Sequence, residues 1–183
     1  MLRTITKDEL KIILDNHTLW LNNKGGSKAN LRFANLSSAN LRSANLSYAN
    51  LRSANLSFAN LSFANLSSAD LLSANLSYAN LRFADLSSAN LRYADLSSAN
   101  LSFANLSSAD LSSADLDKKY VQISCIGSRK GITTYCIDDD FIWCACWTGN
   151  IKDFEKRVRE THKENKQYLK EYLGAIKYFK SLK

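Results

Sequence analysis

From Ala29 to Leu116 the chain repeats a pattern every five residues: an Ala, then Asn or Asp, then a Leu, then two more residues before the next Ala. Eighteen repeats follow one another without an exception at the Ala or Leu positions, and neither Pro nor Gly interrupts them. A period of five matches neither the 3.6-residue turn of a helix nor the two-residue alternation of a strand. Only an architecture that is itself repetitive accommodates it.

Ala and Leu stand two residues apart, so in an extended segment they point the same way. A small and a large apolar residue therefore share one interior, and the three remaining positions face water. The chain has to bend after every fifth residue to bring the next Ala–Leu pair onto the same axis. Right-angle bends return it above its start after four repeats, which makes a square coil, and eighteen repeats give 4.5 coils. At an interstrand spacing of roughly 4.8 Å the stack stands on the order of 20 Å tall. One repeat cannot bury its own Leu, so stability comes from stacking. The open ends would expose interior and unpaired strand edges, so both ends need caps.

The run from Ala29 to Leu116 resembles the pentapeptide-repeat family. That resemblance implies an all-β solenoid, a right-handed quadrilateral β-helix with the central Leu and the Ala two before it inward. Many members carry Gly two residues after the Leu, where this chain has Ser, Phe or Tyr through most of the array. A type II turn needs a positive φ there, which suits Gly or Asn. The sequence therefore predicts turns of another type on most faces.

The flanks read as two further units. In residues 1–28, Thr6 and Glu9 are spaced as a capping box, and Leu10, Ile13, Leu14, His17, Trp20 and Leu21 fall on one helical face. Gly25 and Gly26 end this helical cap before the 29–117 array. Residues 118–183 form a small α+β domain. "KYVQISCIG", "ITTYCID" and "FIWCACW" predict a hairpin and a third strand. A short helix capped by Asn150 carries Ile151, Phe154 and Val158. "THKEN" breaks it, and a longer helix carries Tyr168, Leu169, Tyr172, Leu173, Ile176, Phe179 and Leu182. Gly127-Ser128-Arg129, Thr133-Thr134-Tyr135, Thr161-His162 and Glu171-Tyr172 resemble a tail that accompanies such repeats in some bacterial and phage proteins. The leader "LDNHTLWLNNKGGSKANL" is similar to that of the same proteins. No biochemical activity comes with that tail.

Charge and reactive residues narrow the function. The net charge of +7 divides into +2 for residues 1–28, −1 for the array and +6 for the tail. Lys163, Lys166, Lys170, Lys177 and Lys180 form a stripe beside the apolar face of the last helix. It reads as a solvated face, with nucleic-acid contact as the alternative. Cys125, Cys136, Cys144 and Cys146 lack the spacing of a zinc ribbon or finger and read as buried thiols. No cofactor is expected. Asp138, Asp139 and Asp140 could attract a cation but read as a solvated loop. No signal peptide or membrane-spanning run is evident, so the expected compartment is the cytoplasm of a bacterium or of a cell infected by its phage.

The array offers many Ser but no base beside them, and His17 and His162 lie in opposite flanks, so an enzyme is not expected. The family's described activity is mimicry of duplex DNA by proteins that bind type II topoisomerase. A mimic needs dense negative charge, whereas five Arg oppose six Asp here. The leading expectation is therefore an interaction scaffold for an unknown protein partner, with gyrase binding as the alternative. Residues twenty apart should stack, placing Phe63, Phe83 and Phe103 in one column and Phe58 beneath Tyr78 in another. An exposed aromatic stripe marks a partner surface, here expected to support a weak homodimer.

Overall fold

A computed structural model describes residues 1–126, 131–144 and 147–182. The chain divides into two compact units, Met1–Asp117 and Lys118–Lys183.

In the first unit each Asx residue pairs in parallel with the Asx twenty residues later, from Asn30 with Asn50 to Asp95 with Asp115. Twenty residues are four repeats, so every coil has four faces, beginning at Ala29, Ala34, Ala39 and Ala44. Three backbone bonds tie a repeat to the next coil. Leu31 N–H donates to Asn50 O (2.7 Å), Phe33 N–H to Arg52 O (3.0 Å), and Asn50 N–H to Ala29 O (2.9 Å). The same triplet recurs down the stack. Leu46, Leu56, Leu66, Leu76 and Leu86 have no exposed surface, each removing an apolar side chain from water for about 2 kcal/mol. Leu101 in the last full coil and Leu116 in the half-coil after it are half-buried.

The corners overturn the expectation about turns. Every fifth residue from Phe33 to Ser113 has φ between 52° and 62°, although none is Gly. The Ala that follows donates its N–H to the preceding Leu carbonyl, as in Ala34 to Leu31 at 3.0 Å. A four-residue turn with positive φ only at its third residue is type II. Ser, Phe and Tyr adopt the left-handed region at roughly 1–2 kcal/mol each. The Asx residue helps hold them there. Asn30 Oδ1 accepts from Arg32 N–H (3.3 Å), Asn60 Oδ1 from Ser62 N–H (3.1 Å), and Asp95 Oδ1 from Ser97 N–H (3.0 Å). Either Asn or Asp supplies this acceptor, which is why both occur at the position.

A second correction concerns the positions expected to face water. Ser47, Ser62 and Ser107 are buried, and each hydroxyl donates to the Asx Oδ1 two residues earlier, at 2.8, 2.7 and 2.6 Å.

The N-terminal segment begins with strand β1 (Arg3–Thr4), which pairs in parallel with β2 (Ala34–Asn35) on the first coil. Helix α1 (Lys7–Leu21) follows from a capping box in which Glu9 N–H meets Thr6 Oγ1 and Thr6 N–H meets Glu9 Oε2. His17 is its one fully buried side chain, and Trp20, expected on the same face, remains 37% exposed.

The second unit is an antiparallel sheet in the order β3 (Tyr120–Ile126), β4 (Gly131–Cys136), β5 (Phe141–Cys144), β6 (Trp147–Gly149). Helices α2 (Ile151–Thr161) and α3 (Lys166–Ser181) follow. The segment "FIWCACW" thus supplies two strands where one was expected. Asn150 and Asn165 cap the helices by accepting from Asp153 N–H (2.9 Å) and Tyr168 N–H (3.0 Å). Tyr135, Ile142, Phe154, Val158, Ile176 and Phe179 lie at the centre of its core.

Candidate interaction surface

Stacking coils at a fixed register turns the variable positions of the repeat into columns. Phe63 and Phe83 lie 5.0 Å apart between ring centroids with planes 19° apart, and Phe83 and Phe103 lie 4.9 Å apart at 11°. All three belong to the face that begins at Ala39, and they are 46%, 38% and 70% exposed. Phe58 and Tyr78 stack at 4.8 Å on the preceding face. The positive-φ corner is what projects these rings outward, because each occupies the third position of its turn.

The structure adds a feature the column arithmetic did not identify. The Arg42 guanidinium lies over the Phe63 ring at 4.7 Å, and that of Arg82 over Phe83 at 4.4 Å and Phe103 at 5.8 Å. Arg42 also donates to the buried Ser62 hydroxyl at 3.1 Å. The signal lay in the sequence, since residue i and residue i+21 sit side by side once four repeats make a coil. On the first face, by contrast, Arg52 and Arg92 lean on Asp70 (3.5 Å) and Asp110 (4.0 Å).

His17 joins the helix to the first coil. Its Nδ1 accepts the Ala29 N–H at 3.1 Å, so the proton of the neutral ring sits on Nε2, which is buried and makes no hydrogen bond of ordinary geometry among the described residues. Burial holds the imidazole below its usual range, the Ser47 backbone acts the other way, and Lys28 adds to the lowering. The ring stacks on Trp20 at 5.6 Å, and Trp20 meets Tyr48 edge-on at 6.4 Å.

In the second unit Lys166, Lys170, Lys177 and Lys180 are exposed on α3, while Lys163 lies in the turn before it. Lys180 and Arg159 both pair with Glu155, holding that carboxyl below its usual range. Lys166, Leu169, Lys170, Leu173, Gly174 and Lys177 line a shallow groove of about 490 Å³. The three carboxylates of the β4–β5 turn are all engaged. Asp139 takes Lys118 Nζ at 2.7 Å, Asp138 the Lys119 N–H at 2.7 Å, and Asp140 the Tyr135 hydroxyl at 3.1 Å. Cys136 is buried, and burial pushes its thiol up. Thr133 donates to Cys144 Sγ at 3.2 Å. Cys146 and the Cys125 side chain lie outside the described residues, as do Gly127, Ser128 and Arg129. Among the described residues no group of three or more His, Cys, Asp or Glu is placed to hold a metal ion, and no helix is long and apolar enough to cross a membrane.

The family model of pentapeptide repeats matches residues 27–57, 54–92 and 84–118. No curated protein matches the chain. Among solved structures, a pentapeptide repeat protein (Rfr23) of the cyanobacterium Cyanothece 51142 is 41% identical over 49% of this chain and 58% of that one, with a TM-score of 0.42. Another, alr5209 of Nostoc PCC 7120, is 32% identical over 56% of this chain and 93% of that one, with a TM-score of 0.46. QnrB1, a plasmid-mediated fluoroquinolone resistance protein, is 18% identical over 49% of this chain and 62% of that one, with a TM-score of 0.30. With the matched repeats spanning residues 27–118 and the parallel twenty-residue register running through them, the chain belongs to the pentapeptide-repeat family, and its array is a right-handed quadrilateral β-helix.

Proposed function

We propose that the protein is a non-enzymatic scaffold that displays one face of a rigid prism to a protein partner, with residues 1–28 as the cap of the 29–117 array and residues 118–183 as a separate C-terminal β/α domain. The observation that carries this reading is the column of Phe63, Phe83 and Phe103, exposed and flanked by Arg42 and Arg82. Singly exposed apolar residues are ordinary, whereas a contiguous apolar stripe on a flat surface marks a contact site. Backbone bonds at every corner make that surface rigid, so a partner meets it without an ordering cost.

Catalysis is a poor fit to the same geometry. Many of the array's serines donate to a neighbouring Asx oxygen, an Asn amide for Ser47, Ser62, Ser77 and Ser107 and a carboxylate for Ser97 and Ser112, which ties these hydroxyls into the corners rather than into a cleft. His17 is buried in a structural bond, and His162 stacks on Tyr172 at 5.1 Å in the other unit. Mimicry of duplex DNA toward a topoisomerase is the weaker reading, because the array carries five Arg against six Asp where duplex DNA carries a charge about every 1.7 Å. A supercoiling assay of gyrase with quinolone separates the two, protection by the protein supporting mimicry.

The scaffold reading is tested by affinity capture from lysate of the source cells, using the full chain as bait. Wild type and a Lys166→Gln/Lys170→Gln/Lys177→Gln variant of α3 should retain the same partner. Phe63→Ser/Phe83→Ser/Phe103→Ser should lose it while melting as wild type does. If the α3 variant loses the partner and the Phe variant keeps it, the display role belongs to the tail.

A further inference from the structure

The face that carries the Phe column differs from the other three in charge. Its Asx residues are Asn40, Asn60, Asn80 and Asn100, all uncharged, whereas Asp70 and Asp110 lie on the first face, Asp95 and Asp115 on the second and Asp85 on the fourth. Its ionisable side chains are Arg42 and Arg82. Among the described residues neither pairs with a carboxylate, although Arg52 and Arg92 on the first face both do.

The orientation of the rings sharpens this. A benzene ring is negative on its faces and positive at its edge. In this column the faces turn to one another, at 5.0 and 4.9 Å, or to a guanidinium at 4.7 and 4.4 Å. Apart from the outer face of Phe103, the last ring of the column, what meets solvent is therefore C–H edge and guanidinium: an apolar, electropositive stripe with no acid of its own.

Resting on the scaffold reading, the geometry points to an acidic, apolar peptide segment of a partner protein as the occupant of this face. Its carboxylates meet Arg42 and Arg82, which offer paired N–H donors to such groups, and its apolar side chains lie along the ring edges. Other occupants match less of the surface. Single-stranded nucleic acid stacks successive bases on open ring faces, and the column leaves one such face, at Phe103. A duplex is held by many cations along its phosphates, and this face has two. A second copy, the weak homodimer expected from the sequence, would set Arg42 and Arg82 against their own like charges.

The probe is a fluorescein-labelled synthetic peptide alternating Glu with Leu and Pro, titrated with the full chain and followed by fluorescence anisotropy. Saturable binding is expected, weakening as salt screens the charges. Both Arg42→Gln/Arg82→Gln and Phe63→Ser/Phe83→Ser/Phe103→Ser should weaken it by roughly tenfold or more. The Lys166→Gln/Lys170→Gln/Lys177→Gln variant should bind like wild type, and the peptide with Gln in place of Glu should not bind. Each variant is melted first, and since the Arg pair and the Phe triplet are independent surface changes, either one that folds is sufficient for the comparison. The proposal is overturned if the peptide fails to bind, or binds both face variants as tightly as wild type. It is also overturned if oligothymidine binds with losses that track the same variants, which assigns the face to nucleic acid, or if wild type sediments as a dimer that the Phe variant abolishes, which assigns it to a second copy. Should the peptide fail while the Phe variant still loses its partner from lysate, the acidic class falls and the scaffold reading stands.

Discussion

A single buried Leu shows how strictly the repeat is enforced. Leu66 and Leu76 have no exposed surface, so a carboxylate in either place would be an unpaired charge in an apolar interior. Leu66→Asp or Leu76→Asp should abolish the cooperative thermal transition, and a mutant that melts like wild type would place the register elsewhere. Asn60 tests the Asx position. Its Oδ1 accepts from Ser62 N–H and Ser62 Oγ, so Asn60→Ala strands two donors and should cost about 1–3 kcal/mol. Asn60→Asp keeps both bonds and should cost much less by the same melting measurement. This role is not legible in the sequence, where Asn-or-Asp looks like a polar filler. Only the folded corner shows a backbone N–H two residues on that needs an acceptor. The turn type is hidden for a related reason. Ser or Phe at positive φ carries a local penalty, which three ladder bonds per repeat and the Asx acceptor outweigh.

His17 carries a pH dependence whose sign follows from its bond. In the folded chain Nδ1 accepts a hydrogen bond from Ala29 N–H and burial disfavours the charged ring, so its folded value lies below that of the free imidazole, near 6.5. The unfolded chain therefore binds the proton first. The stabilisation is fully present above about pH 6.5 and is lost as pH falls through the depressed folded value. Melting curves across that window should fall on the acid side for wild type and flatten for His17→Asn; an unchanged profile would mean the ring is not what joins the helix to the coil.

At the scale of elements, a long regular period is readable and short exceptions are not. Helices α1, α2 and α3 follow from caps and apolar spacing that the residues display openly. Strand β1 does not: Arg3–Thr4 has no pattern of its own and is held by the first coil's edge, Arg3 N–H donating to Phe33 O at 2.6 Å. The division of "FIWCACW" into β5 and β6 is hidden similarly, because the run holds no Gly, Pro, Asn or Asp to mark a boundary between strands. We expect residues 1–28 to matter for solubility more than for secondary structure. Their deletion removes both β1 and α1 from the first coil and exposes an unpaired edge. Circular dichroism should retain its β signal while light scattering reports aggregation; a soluble monomeric deletion would show that the segment is no cap.

At the scale of the whole molecule, the columns of Phe63, Phe83 and Phe103 and of Phe58 and Tyr78 are readable from arithmetic on the repeat, since twenty residues return the chain to the same face. The pairing of those rings with Arg42 and Arg82 depends on which way the corner projects its side chain, and that direction is set by the positive φ. If the third face carries the contact chemistry, its neighbours should be silent toward the partner. Photo-crosslinking separates the faces, with a photoreactive amino acid placed at Phe103 on the third face or, separately, at Ser88 on the fourth, each used in the full chain in cell lysate. A discrete adduct is expected from position 103 and none from position 88. Equal adducts from both, or one from position 88 alone, would contradict the assignment of the contact surface to the Phe column.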